Sequence, residues 1–274
     1  VSERTVTLVG ADGTRHTLAC ADEPYRLGAA AVWGVGPTAH DSRPVGDLPG
    51  ERLERVRALP RTIAVPVVII GGEAAVDDAL GGLGQIIGSG ADCRIIYSRP
   101  DGTTRELTAR YLSGGDAVPI RHHKMPAVRV PLTFRAYQPF WRSTLGPIVV
   151  EDQTFVGEGL ANAVTVDNGG DVDTWPTITI TGPAENIQGV NLVTGQVWRV
   201  REVITAGQTL RIETDPRAVG VWLDDIASIG VMDPLSEMWP LRPRSNHLVL
   251  SARGDGVGGI GTFRLQWREL FDTC

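Results

Sequence analysis

The sequence predicts a mainly β protein built as two β-sandwich-like domains, the first with one short α-helix. Three observations predict it. Runs of β-branched residues alternate with polar ones at period two, as in Ile178 and Ile180 between Thr177, Thr179 and Thr181, the mark of a strand with one buried face. Turn dipeptides with a taste for positive φ separate the runs: Asp12-Gly13, Asp101-Gly102 and Asn168-Gly169. The 33 glycines and 18 prolines are spread along the 274 residues, which suits many short strands joined by turns.

In chain order, residues 4–9 and 14–19 flank Gly10-Ala11-Asp12-Gly13 as a hairpin. Residues 29–35 suggest a third strand. From Pro37 to Pro60 the pattern dissolves into four prolines and the charged run Glu51 to Arg57. So long a loop inside a domain is usually functional or mobile. The reading is divided between a surface loop and an arm that pairs with a neighbouring subunit. Residues 61–70 return to strand. Residues 73–87 predict the helix, because Val76, Leu80, Leu83 and Ile87 share one face. Gly81, Gly82 and Gly84 weaken it by about 1 kcal/mol each relative to alanine, so packing against a sheet or a close approach must hold it. Strands follow at 92–98, 103–112 and 127–137. Pro131 argues for an edge position or a bulge in the last.

Gly146-Pro147 and a change of pattern mark a domain boundary, giving domains 1–145 and 146–274. Beyond it the runs 160–167, 176–181, 187–193, 196–203, 208–214, 218–223, 246–252 and 260–268 have the strand-and-turn spacing of a sandwich. Residues 254–261 read as a hairpin tip between the last two.

Composition excludes several classes. With 42% hydrophobic and 21% charged residues the chain reads as folded and soluble. No apolar run is long enough to span a bilayer, so no membrane insertion is expected. No charged-then-apolar leader is seen, so no secretory signal is expected. The net charge is −6, and Lys124 is the one lysine among 26 basic residues. No basic stripe appears along the chain, which argues against sequence-specific nucleic-acid binding. Cys20, Cys93 and Cys274 make neither a disulfide framework nor a zinc pattern, and idle thiols in a reducing compartment are expected.

The turn Asn168-Gly169-Gly170-Asp171, Pro176 with its Ile-Thr-Ile-Thr-Gly strand, Ala206-Gly207-Gln208-Thr209-Leu210-Arg211-Ile212, and Trp239-Pro240-Leu241-Arg242-Pro243-Arg244-Ser245-Asn246 before the strand Phe263 to Arg268 together resemble the phage distal tail protein family. This is the siphovirus-type tail component, or minor tail protein, of long-tailed phages. In the first half, a helix after a strand, Pro100-Asp101-Gly102 and a strand ending in Pro139-Phe140-Trp141 fit its ring-forming domain. The resemblance implies a structural virion protein forming a hexameric ring at the distal end of the tail tube. The first domain would be tube-like and build the ring. The second would hang outside it as a galectin-like or carbohydrate-binding-module-like sandwich. Expected partners are identical copies, the tail tube protein, and hub and other minor tail proteins of the tail tip or baseplate. DNA would touch it only in transit. Location in the virion tail tip, assembly in the host cytoplasm, no cofactor and no catalysis are implied. The acidic balance adds the expectation of an acidic pore wall.

No residue pattern points to chemistry. His122-His123 are adjacent, so on a strand they face opposite sides and make poor metal ligands. Asp224-Asp225 with Asp233 and Glu237 lack a calcium-loop ladder. Neither a nucleophile elbow nor a phosphate-binding loop occurs. For inter-subunit contacts the candidates are Arg43, Leu48, Leu53 and Arg57 on the arm, and Val76, Leu80 and Leu83 on the helix. Trp222 and Trp239 flank an irregular stretch and are the candidate surface aromatics. They leave open a carbohydrate-binding adhesin, and paired carboxylates leave open a tail-associated hydrolase.

Overall fold

Alternation builds the strands much as read. The computed structural model describes residues 5–18, 24–28, 34–45, 49, 51–122, 125–154, 162–253 and 261–274. β1 (Thr5–Val9) and β2 (Arg15–Leu18) pair antiparallel about the Asp12-Gly13 turn. The Asp12 carboxylate accepts the Thr14 backbone N–H at 2.9 Å and its hydroxyl at 2.7 Å, and these bonds lower its pKa. Most of the strand proposed at 29–35 lies outside the described residues. Instead β3 (Tyr25–Leu27) pairs with β6 (Arg61–Ile70).

Residues 38–44 and 51–58, expected as part of a long loop, are strands instead. β4 (Thr38–Pro44) and β5 (Glu51–Ala58) form a two-stranded antiparallel sheet of their own. Every residue of β5 is exposed, so no buried face exists to betray the strand by periodicity.

After β6 comes α1 (Glu73–Gly88). β7 (Asp92–Ser98), β8 (Thr104–Gly114), β9 (Val118–His122), β10 (Met125–Ala136) and β11 (Trp141–Ser143) follow. The large sheet runs β2-β1-β7-β8-β10-β6-β3, with β9 added on β10 and β11 on β8. Its inner residues, among them Leu8, Val65, Ile95, Leu107 and Phe134, are at most 1% exposed. Each such burial contributes about 1.5–3 kcal/mol. The helix closes this core with Val76, Ala79, Leu83 and Ile86. Gly82 belongs there sterically: a Cβ would stand 2.9 Å from the His16 ring and 3.1 Å from the Tyr25 hydroxyl. That hydroxyl donates to the Ala79 carbonyl at 3.0 Å.

Pro131 is not at an edge. β10 is central and Pro131 stands opposite Pro66 of β6. Pro131 gives its carbonyl to Gly115, and Pro66 gives its carbonyl to Gly28. Both prolines therefore turn their donor-less nitrogens away from the shared ladder, which loses no hydrogen bond. A register shift does occur two residues on, between Thr133 and Phe134.

The chain divides into two units, residues 1–144 with 271–274, and residues 145–270. The last four residues thus depart from the expected extent of the second domain, and the cause is local. Arg61 donates to the Asp272 carbonyl at 2.6 Å and carboxylate at 3.0 Å. The Arg105 guanidinium lies 3.5 Å over the Phe271 ring. Phe271 and Cys274 pack on the first core.

The second unit is a sandwich. β12 (Ile148–Thr154), β13 (Asn162–Asn168), β14 (Thr177–Thr181), β15 (Glu185–Asn191), β16 (Val197–Arg199), β17 (Thr209–Glu213), β18 (Gly220–Leu223), β19 (Ile226–Ala227), β20 (Arg244–Arg253) and β21 (Thr262–Trp267) form two sheets. One runs β12-β21-β14-β17-β18-β19, the other β13-β20-β15-β16. Ile178, Ile180, Leu210, Ile212, Phe263 and Leu265 from the first meet Ile187, Trp198, Leu248 and Leu250 from the second in one core. The turn after β13 is fixed by Asn168, whose side chain accepts from Gly170 N–H and donates to the Val172 and Leu241 carbonyls. The tip at 254–261 lies almost wholly outside the described residues.

Candidate functional site

The β4–β5 hairpin presents two unlike faces, and a bulge creates them. The ladder pairs Asp41 with Arg55 but Ser42 with Leu53, so Glu54 is the extra residue. Without it Leu53 and Val56 would point to opposite sides. With it they share a face with His40 and Pro44, and are 53% and 51% exposed. The other face carries Arg43, Arg52, Arg55 and Arg57 with Asp41. Arg43 contacts Glu54 at 2.6 Å and Arg57 contacts Asp41 at 3.8 Å. Ser42 bonds Glu51 across the strands. A lone two-stranded sheet is marginal in water, so this element suits a partner. Leu48 lies outside the described residues.

The helix candidates require correction. Val76 and Leu83 are 6% and 2% exposed, and Leu80 is half-buried against the same core. Their periodicity marked the face that the protein's own sheet covers. The outward face is acidic at its start, with Glu73, Asp77 and Asp78, and holds Gly81 and Gly84 further on.

The two tryptophans part company. Trp239 is fully buried, its ring 6.5 Å from that of Trp198, and is no surface aromatic. Trp222 is half-buried at an open cleft of about 380 Å³ lined by Thr179, Thr209, Arg211, Asp224 and Asp225. The Arg211 guanidinium lies 4.1 Å over its ring, and the indole occupies the place a Cβ on Gly220 would take, 2.2 Å away. Asp224 accepts the Thr209 N–H at 2.8 Å. The indole is engaged within the fold on both sides, so stacking a sugar on it requires Arg211 to leave.

Among the described residues no group of three or more His, Cys, Asp or Glu could hold a metal. The side chains of His122 and His123 lie outside them. Each carboxylate that shifts does so downward: Asp215 through the Arg217 side chain, Asp101 through the Thr103 hydroxyl, Asp233 through the Leu235 N–H. These are turn and ion-pair contacts. Cys93 and Cys274 are free thiols, and burial pushes Cys93 up to about 11.

Sequence reading missed a basic surface on the outer side of the first unit's sheet. It missed it because the arginines come one or two to a strand and gather only across the ladder.

The fold is thus two β-rich units, the first bearing an exposed two-stranded hairpin. Residues 169–269 match the siphovirus-type tail component, C-terminal domain. The whole fold is similar to the crystal structure of Dit from phage SPP1, at 16% identity and a TM-score of 0.64, over 97% of this chain and 99% of that one. It is more distantly similar to a chain of the phage P2 baseplate in its activated conformation with Ca, at 10% identity and a TM-score of 0.48, over 96% of this chain and 98% of that one. No curated protein matches. Similarity in sequence over residues 169–269 and similarity in fold along the whole chain both lie with siphovirus-type tail components.

Proposed function

We propose that this chain is the ring subunit at the distal end of a phage tail tube, hexameric as the family resemblance implies. It would join the tube to the tail tip or baseplate and let DNA pass through its centre. The observation that carries this is the pairing of a tail-component match on 169–269 with a Dit-like fold along 97% of the chain. SPP1 Dit is described as a paradigm of the hub adsorption apparatus in phages infecting Gram-positive bacteria, and the same hub role is proposed here.

Residues 1–144 would build the ring, with the exposed hairpin reaching to a neighbour, and 145–270 would lie at the periphery. A closed ring leaves no unpaired end, so a modest contact repeated around it is stable. The role is taken as non-catalytic, as the resemblance to structural tail components implies. The pore wall would be acidic, in keeping with the net charge of −6. Cryo-electron microscopy of virions labelled on this chain tests the reading. Label at the junction of tube and tip supports it, and label elsewhere refutes it.

The adhesin reading keeps one observation, the Trp222 cleft. Titration of the full chain with soluble glycans is expected to show no saturable binding. Saturable binding lost in Trp222→Ala would favour the adhesin instead.

A further inference from the structure

On β2, β7, β8, β10 and β11, the outward positions hold Arg15, Arg94, Arg110, Arg129, Arg135 and Arg142. The acidic residues among them are Asp92 and Glu106. Register brings five of the six together: Val9 pairs with both Arg15 and Arg94, Arg110 pairs with both Asp92 and Arg135, and Arg142 pairs with Glu106, while Arg129 extends the same face further along β10, opposite Val68 and Val118. Glu106 is held 3.3 Å from Arg94 and 3.1 Å from Arg142, and Asp92 lies 2.9 Å from Arg110. Arg15, Arg129 and Arg135 have no carboxylate partner among the described residues. A notch of about 300 Å³ opens in this face, lined by Asp92, Thr108, Tyr137, Gln138 and Arg142.

The face therefore has an excess of four positive charges in a chain whose net charge is −6. The rest of the chain carries ten more acids than bases. Part of that excess is gathered on α1, whose outward Glu73, Asp77 and Asp78 have no basic residue beside them in the whole helix. Helix and sheet cover one core, and their outer faces point away from it in different directions.

We propose that this arginine face is where a second copy of the chain docks, presenting the acidic outer face of its α1. This rests on the ring reading and specifies one of its contacts. The contact joins unlike surfaces, and such contacts repeat head to tail until a ring closes. Opposed charge sets its register and speeds encounter. A second copy fits better than a nucleic acid. Asp92 and Glu106 sit among the arginines, where they repel phosphates, whereas a protein surface can place its carboxylates around them. With the basic face covered in this way, the pore wall draws on the acidic remainder.

The test uses the full chain, followed by sedimentation and native mass measurement over a concentration series. The charge reversals R15E/R129E/R135E on one face, and E73R/D77R/D78R on the other, are each expected to weaken assembly about ten-fold or more. Mixing the two variants brings reversed faces together at alternate contacts and is expected to recover part of the loss. Wild-type assembly is expected to weaken between about 0.05 M and 0.5 M salt, a measurement that needs no variant to fold. Assembly indifferent to both salt and reversal would overturn this contact while leaving a ring by other surfaces intact. A wild type monomeric throughout overturns the contact too. So does retention on duplex DNA that the three arginine reversals abolish, which would assign the face to a polyanion. Absence of the chain from the tube end of virions would instead sink the ring reading itself.

Discussion

Arg61 shows how much one side chain can hold. Its guanidinium is 5% exposed and its charge is balanced by Asp272, 3.0 Å away. Burial pulls its pKa down, and Asp272 and Cys274 oppose that. Replacing Asp272 with alanine leaves a buried cation facing one carbonyl, and should cost about 1–3 kcal/mol in urea unfolding. Arg61→Met removes the charge as well and should cost less than its burial suggests. A second residue-scale expectation concerns Cys93, whose thiol is pushed from 9.0 up to about 11 by burial. Above about pH 9 the unfolded chain sheds this proton while the folded one keeps it, so the native state binds more protons and stability falls as pH rises toward 11. The difference between wild-type and Cys93→Ala stability curves across that window should carry this slope. Parallel curves would show that Cys93 makes no such contribution.

At the scale of elements, the helix offers an internal contrast. Gly81 and Gly84 have open space where a Cβ would go, whereas Gly82 faces His16 at 2.9 Å. Alanine at 81 or 84 should therefore stabilise by about 1 kcal/mol through helix propensity. At 82 the clash with His16 and Tyr25 should outweigh that gain and destabilise by about 1–2 kcal/mol. Thermal unfolding of the three single variants checks the order. The helix was legible because its apolar residues recur at helical spacing. Its role was misjudged because periodicity reports a covered face and never says what covers it; here Val76 and Leu83 meet the protein's own sheet. The β4–β5 hairpin was illegible for the opposite reason. With all of β5 exposed and Glu54 breaking the register, no period survives for a sequence to display. Trp239 was misplaced because irregular neighbours in sequence say little about burial, and Asn191 and Thr174 anchor its surroundings from far along the chain, bonding the Pro240 and Leu241 backbone.

At the scale of the molecule, sequence order and spatial order diverge in two places. The arginine face is invisible in sequence because a ladder sums charges from strands far apart, as when Arg142 meets Glu106. The tail 271–274 follows the last strand of the second unit yet belongs to the first. That yields a prediction with a definite location. Each unit has its own core, so unfolding should show two transitions rather than one. A chain ending at residue 270 loses Phe271, which both packs on the core and lies beneath Arg105, the packing of Cys274, and the Asp272 acceptors of Arg61. Those are three separate losses to one core, each of about 1–3 kcal/mol. Hydrogen exchange should then show amide protection falling most in β6, β8 and β11, the strands that carry or adjoin Arg61 and Arg105, and least in β14, β17 and β21. Equal loss in both sets would mean that the tail serves the whole chain rather than closing the first core.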